Sequence, residues 1–234
     1  MGLKREILTI LYLFRYTSSP ISTLAGYLLG GEYTVTFPSG ESVTSKRGEA
    51  NLPFFAEAAK KGYTVRPYEE GYFLLERDRY TLIGKNKTSI EDEPYYDVID
   101  IEGKNVLDVG GFLGETAVRF IAEAGADNVY VYEAVPEFAQ KIPKSNGIGN
   151  RIHCMQKAVG DTELSTEDTQ EAQCVSWGEA IRDAIVKDVY LAKVDCEGCE
   201  EGLLNVKADL LQEIPHWIME THSSELTESI MEKF

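Results

Sequence analysis

Apolar residues recur at helical spacing over residues 3 to 30, which predicts one or two amphipathic helices closed by Gly30-Gly31. Tyr33 to Phe37 alternates tyrosine and threonine about valine and runs into Pro38-Ser39-Gly40, the grammar of a hairpin. From Glu49 to Lys61 the spacing is helical again, with Leu52, Phe55, Ala56 and Ala59 on one face and Gly62 as the stop. Tyr63 to Ile83 is rich in tyrosine, valine, phenylalanine and leucine and is broken by Glu69-Glu70-Gly71, so two or three antiparallel strands are expected. Gly84 to Glu93 is polar, which puts a loop there and a domain boundary near residue 95. Residues 1–95 thus read as a small α+β region and residues 96–234 as a second domain.

Beyond the boundary, short β-branched or aromatic runs alternate with helical stretches. The predicted strands are Val106–Val109, Asn128–Tyr132, Ile152–Lys157, Val189–Asp195 and His216–Glu220. The predicted helices are Thr116–Ala124, Glu137–Lys144, Trp177–Ile185 and Glu201–Leu211. Such alternation implies right-handed crossovers and an α/β fold with a doubly wound, mostly parallel sheet of Rossmann-like type. Ligands in these sheets sit beyond the carboxyl ends of the strands, so candidate functional residues are sought there.

Composition narrows the partners. The 234 residues carry a formal net charge of −16, the wrong sign for gripping a phosphate backbone, so no nucleic-acid partner is expected. The apolar run Ile7 to Phe14 is interrupted at Arg15 and again at Pro20. It falls short of the roughly 20 apolar residues of a membrane span, so no integral membrane segment is expected. Four cysteines without a recognisable secretory leader read as reduced thiols of a cytoplasmic protein. Oligomeric state is left open.

The most informative stretch is VLDVGGFLGET, Val106 to Thr116: an apolar strand, a glycine turn and a helix opening, which together make a nucleoside or phosphate cradle. It is neither G-x-G-x-x-G, since Phe112 and Glu115 stand where the second and third glycines belong, nor a Walker loop, since no Gly-Lys-Ser or Gly-Lys-Thr follows. What remains is D-x-G-G-x-x-G, with Glu133 about 25 residues after Asp108 at the end of the second strand. A carboxylate there can accept hydrogen bonds from both hydroxyls of a ribose.

The chain resembles the class I S-adenosylmethionine-dependent methyltransferases, and among them the FkbM family, whose pattern reads D-V-G-A-N-I-G-Y-T, then E-P, then K-x-D-x-E-G-x-E. The matching segments are DVGGFLGET at Asp108–Thr116, EAVPE at Glu133–Glu137, NGIGNRI at Asn146–Ile152, KAVGD at Lys157–Asp161, KVDCEGCE at Lys193–Glu200 and METH at Met219–His222. The resemblance implies S-adenosylmethionine as cofactor. It places Asp108, Gly110, Gly111, Gly114 and Thr116 at the first loop, Glu133 at the ribose, and Ala158, Val159 and Asp161 around the adenine. It also implies O-methylation of a hydroxyl on a small-molecule or glycan-like acceptor.

Asp195 and Glu197, at the tip of the fourth strand, and His222, at the end of the fifth, are the catalytic candidates: one carboxylate to orient the cofactor and another to take a proton from the acceptor hydroxyl, and an imidazole as general base or metal ligand. Glu200 is expected to cap the following helix and face water. No metal site is expected. Cys196 and Cys199 form a C-x-x-C, taken here as packing residues, with a zinc or redox protein as the third functional reading. The second is a non-catalytic nucleoside-binding or assembly module on the same fold. It is suggested by the short remainder after His222, where a class I methyltransferase adds two more strands; the segment Thr162 to Gln173 is polar where a further strand is expected, which leaves the acceptor pocket open.

Overall fold

The computed structural model describes residues 2–46, 52–69, 71–78, 80–85, 90, 99–142, 148, 150–160 and 173–234. The chain divides into two units, Met1–Asp92 and Glu93–Phe234.

In the first unit the apolar N-terminal stretch is two helices, α1 (Gly2–Tyr16) and α2 (Pro20–Leu28), rather than one. Pro20 is the reason: a residue without an N–H opens a helix readily and cannot continue one. The hairpin is β1 (Glu32–Thr36) with β2 (Ser42–Lys46), in a register that pairs Val35 with Val43 on the buried face and Thr34 with Thr44 on the wet one. Helix α3 (Leu52–Lys60) buries Phe54 and Phe55. Strands β3 (Thr64–Pro67), β4 (Phe73–Arg77) and β5 (Tyr80–Gly84) form an antiparallel sheet. Among the described residues no helix is long and apolar enough to cross a membrane.

The second unit is built on five parallel strands: β6 (Asn105–Val109), β7 (Asn128–Tyr132), β8 (Ile152–Met155), β11 (Val189–Val194) and β12 (His216–Met219), in the order β12-β11-β6-β7-β8. Alternation along β6 sends Val106 to one face and Leu107 to the other. The first face packs on Ala117, Phe120 and Ile121 of α4 (Glu115–Ala122). The second packs on Trp177, Ala180, Ile181 and Ala184 of α6 (Trp177–Val186). Helices therefore cover both faces, as the alternating pattern predicted.

Three expectations need correction. The third predicted strand is two, because β8 ends at Met155 and β9 (Lys157–Val159) leaves the main sheet to pair in parallel with β10 (Gln173–Val175). Of the helix predicted at Glu137–Lys144, the described residues form one turn, α5 (Pro136–Ala139), and residues 143–144 lie outside them. The helix predicted at Glu201–Leu211 is a 3-10 segment, Cys199–Asn205, followed after an extended Val206 by the single turn α7 (Ala208–Leu211). Leucines at 203, 204, 210 and 211 mimic the helical repeat across that break. After β12 the chain forms α8 (Ser224–Lys233).

Candidate active site at the sheet switch point

From β6 the chain builds outward through β7 and β8 on one side and through β11 and β12 on the other. The connections reverse between β6 and β11, the place where such sheets take ligands beyond their carboxyl ends. Val194, Val109 and Tyr132 are register partners at the ends of β11, β6 and β7. Asp195, the glycine turn and Glu133 therefore emerge side by side.

Beneath them lies a buried ion pair. Asp108 and Lys193 are register partners on adjacent parallel strands, so both side chains leave the sheet on the face covered by α4. Their relative exposures are 0% and 2%, and Nζ stands 3.0 Å from Oδ1. The ammonium donates a hydrogen bond to the Gly110 carbonyl at 2.9 Å and lies 3.7 Å from Oδ2 of Asp195. Neither Asp108 oxygen has an aligned hydrogen-bond donor, so its contact with Lys193 is electrostatic. Burial pushes the Asp108 carboxyl above its usual range and Lys193 offsets this in part. Lys193 is the residue that sequence reasoning missed. Its signal was a lone cation in VYLAKV, an otherwise apolar strand whose buried charge requires a partner.

The turn is shaped by what it touches. Gly110 has φ of 84°, and a Cβ there would overlap the carbonyl oxygen of Asp195. The close approach that requires glycine is thus between the tips of β6 and β11. Phe112, at the position of the missing second glycine, has φ of 46° and so takes the left-handed conformation without being glycine. Two contacts hold it there: its N–H donates to Oε2 of Glu133 at 2.7 Å, and its ring meets Phe138 edge-on with centroids 4.6 Å apart. The other oxygen of Glu133 accepts from the Val135 N–H at 2.7 Å. Glu133 is only 6% exposed, and burial raises its pKa despite the two amides that oppose the shift.

Glu115 takes the place of the third glycine and opens α4. The side chain is half-buried, but Oε2 is out of contact with water and without a hydrogen bond. Burial pushes its pKa up to about 7, against the pull of Lys193 and Arg119. Thr116 follows, 7% exposed.

The tip of β11 is a tight turn with Glu197 and Gly198 at φ of 55° and 120°. It brings the Cα atoms of Cys196 and Cys199 to 5.6 Å, and the two are joined by a disulfide. The expectation of reduced, merely packing thiols is corrected here. So is that for Glu200, which is fully buried and accepts hydrogen bonds from the N–H groups of Cys196 (3.0 Å) and Gly198 (2.8 Å). The catalytic candidates Glu197 and His222 do meet, with Nε2 of His222 3.6 Å from Oε2 of Glu197. Both are exposed, so the pair is screened and weak. Among the described residues no group of three or more His, Cys, Asp or Glu is arranged to hold a metal ion.

Ala158 and Val159 are buried in β9, Val159 against Leu107, Val109 and Tyr132, while Asp161 lies outside the described residues. A cavity of about 490 Å³ opens beyond the strand ends, lined by Val159, Gly160, Gly198, Cys199, Ser223 and Glu225 among others. Of the predicted site residues among the described ones, only Val159 lines it. The cavity therefore does not mark the cofactor position, for which the switch point is the better guide.

No family model and no curated protein matches this chain. Solved structures resemble it loosely. Precorrin 8w decarboxylase of Methanobacterium thermoautotrophicum is 17% identical over 56% of this chain and 61% of its own, with a TM-score of 0.36. The StiE O-MT segment is 15% identical over 59% of this chain and 46% of its own, with a TM-score of 0.37. Fibrillarin of Aeropyrum pernix, solved with natively bound S-adenosyl-L-methionine, is 10% identical over 73% and 88%, with a TM-score of 0.38. The chain thus spans 61% and 46% of the first two. At such scores no ligand, activity or residue role is transferred from them.

Proposed function

We propose that this chain is an S-adenosylmethionine-dependent methyltransferase of the FkbM type, transferring a methyl group to a hydroxyl of a small-molecule or glycan-like acceptor. The observation that carries the reading is the buried Glu133 at the end of β7, hydrogen-bonded to the loop after Gly110, with that glycine turn between it and Asp195. Each oxygen of Glu133 accepts one amide and keeps a second lone pair for a ribose hydroxyl. The N-terminus of α4, which has no side-chain cap, suits the anionic end of the cofactor's methionine, and Asp108, paired with Lys193 beneath the turn, fixes the loop. Thr116 and the glycines shape that loop, and Ala158, Val159 and Asp161 are assigned to the adenine border.

When bound, the cofactor supplies an electrophilic methyl group on a sulfonium. Asp195 orients the reacting groups, and His222 takes the proton of the acceptor hydroxyl. Asp195 therefore contributes by positioning the reacting groups in line more than by proton abstraction.

Calorimetry with S-adenosylmethionine should give saturable binding to the wild type and at least about tenfold weaker binding to Glu133→Ala, which leaves two amides without their acceptor. Absence of binding by the wild type would sink the reading. A non-catalytic nucleoside-binding module is the second reading, favoured by a cavity that none of Asp195, Glu197 and His222 lines. Transfer of labelled methyl groups into a metabolite extract, lost in Asp195→Asn, separates the two.

A further inference from the structure

The disulfide lies at the switch point, in the turn that packs against the glycine loop. A Cβ added to Gly110 would stand 3.0 Å from Cα of Cys196 besides overlapping the Asp195 carbonyl. The Asp195 N–H donates to the Val109 carbonyl, and the Gly110 N–H to the Tyr132 carbonyl, each at 2.9 Å. One continuous contact thus joins the cysteine turn, the end of β6 and the end of β7.

The two cysteines are anchored unequally. Cys199 is 5% exposed, and its carbonyl accepts from the Trp177 indole at 2.8 Å in the core. Cys196 is half-buried and is held through its N–H by the buried Glu200. Cys199 also lines the 490 Å³ cavity. The disulfide therefore ties the turn that touches Gly110 to a fixed point in the core.

We propose that Cys196–Cys199 is a thiol–disulfide exchange site whose substrate is a dithiol reductant, and that its redox state sets the order of the glycine turn and hence the site's affinity for S-adenosylmethionine. The affinity part rests on the methyltransferase reading. In the exchange a reductant thiolate attacks one sulfur, the other leaves as a thiolate and takes a proton, and the reductant's second thiol closes its own disulfide. Two electrons and two protons pass to the protein. Reduction removes the covalent tie and leaves residues 196–198 held by the hydrogen bonds to Glu200, so the turn loosens and a ligand must order it again, which weakens binding. The reduced Cys196 thiol, whose sulfur lies 3.3 Å from Oε1 of Glu200, becomes a donor competing with the amides that shape the turn.

Three measurements on the full chain test this. Alkylation of protein purified without reductant should find two free thiols, Cys154 and Cys174, and all four after dithiothreitol; four at the outset would overturn the proposal. Amide exchange at Gly110 and Asp195 should speed up on reduction by about tenfold, and equal rates would overturn the coupling. In calorimetry, dithiothreitol should weaken S-adenosylmethionine binding by about three- to tenfold. Cys196→Ser, at the less buried position, should bind like the reduced wild type and ignore dithiothreitol; equal affinities in the two wild-type states would overturn the affinity part. If neither state binds while exchange at Gly110 still responds to reduction, the methyltransferase reading falls and the thiol–disulfide effect stands.

Discussion

Two charged residues at the switch point set opposite demands on stability. Lys193 is a cation sealed against Asp108, and removing one partner of such a pair leaves the other buried without compensation. Lys193→Met should lower the unfolding free energy by about 3 to 5 kcal/mol, and adding Asp108→Leu should recover much of the loss, as read from urea unfolding. Glu115 behaves differently because its folded pKa, about 7, lies above the ordinary 4.5. Its contribution to stability is fully present below 4.5 and is lost as pH rises through 7. Glu115→Gln does not titrate, so relative to the wild type it should gain about 1 to 3 kcal/mol between pH 4.5 and about pH 8. Urea midpoints at the two pH values check this, and an unchanged difference would sink it.

At the scale of elements, local chemistry decides where segments begin. Ser176 accepts from the Glu179 N–H while the Glu179 carboxylate accepts from the Ser176 N–H, a reciprocal cap that opens α6. Ser176→Ala should cost about 1 kcal/mol in urea unfolding. Legibility from sequence followed the same divide between local and distant causes. Strands such as NVYVY and VYLAKV were readable because β-branched and aromatic runs have few alternatives. The break after Asn205 was not, because leucine spacing is indifferent to whether a helix continues between them. At the candidate site, the position of Glu133 at a strand end was visible in the order of segments. Its bond to Phe112 was not, since that depends on a backbone conformation normally left to glycine. Nor does C-x-x-C spacing reveal a disulfide. The bond depends on Glu197 and Gly198 turning left-handed, and on Glu200 being drawn inward to hold the turn.

At the scale of the whole molecule, the charge of −16 bears on the proposed cofactor. S-adenosylmethionine is a net cation near neutral pH, whereas the demethylated product lacks the sulfonium charge. A strongly anionic protein should therefore speed the encounter with the cofactor more than with the product. Stopped-flow association should slow for S-adenosylmethionine between about 10 mM and 150 mM salt and change little for S-adenosylhomocysteine. Equal salt slopes would count against steering by net charge.

The ion pair beneath the turn also has a bearing on how the chain is made. Lys193 and the Gly110 carbonyl it holds are 83 positions apart. A nascent chain that has emerged only as far as α6 already contains β6, yet Lys193, the cation paired with Asp108 in the interior, has still to follow. Burial of β6 on that face therefore waits for β11 to leave the ribosome, and the centre of the sheet closes late in synthesis.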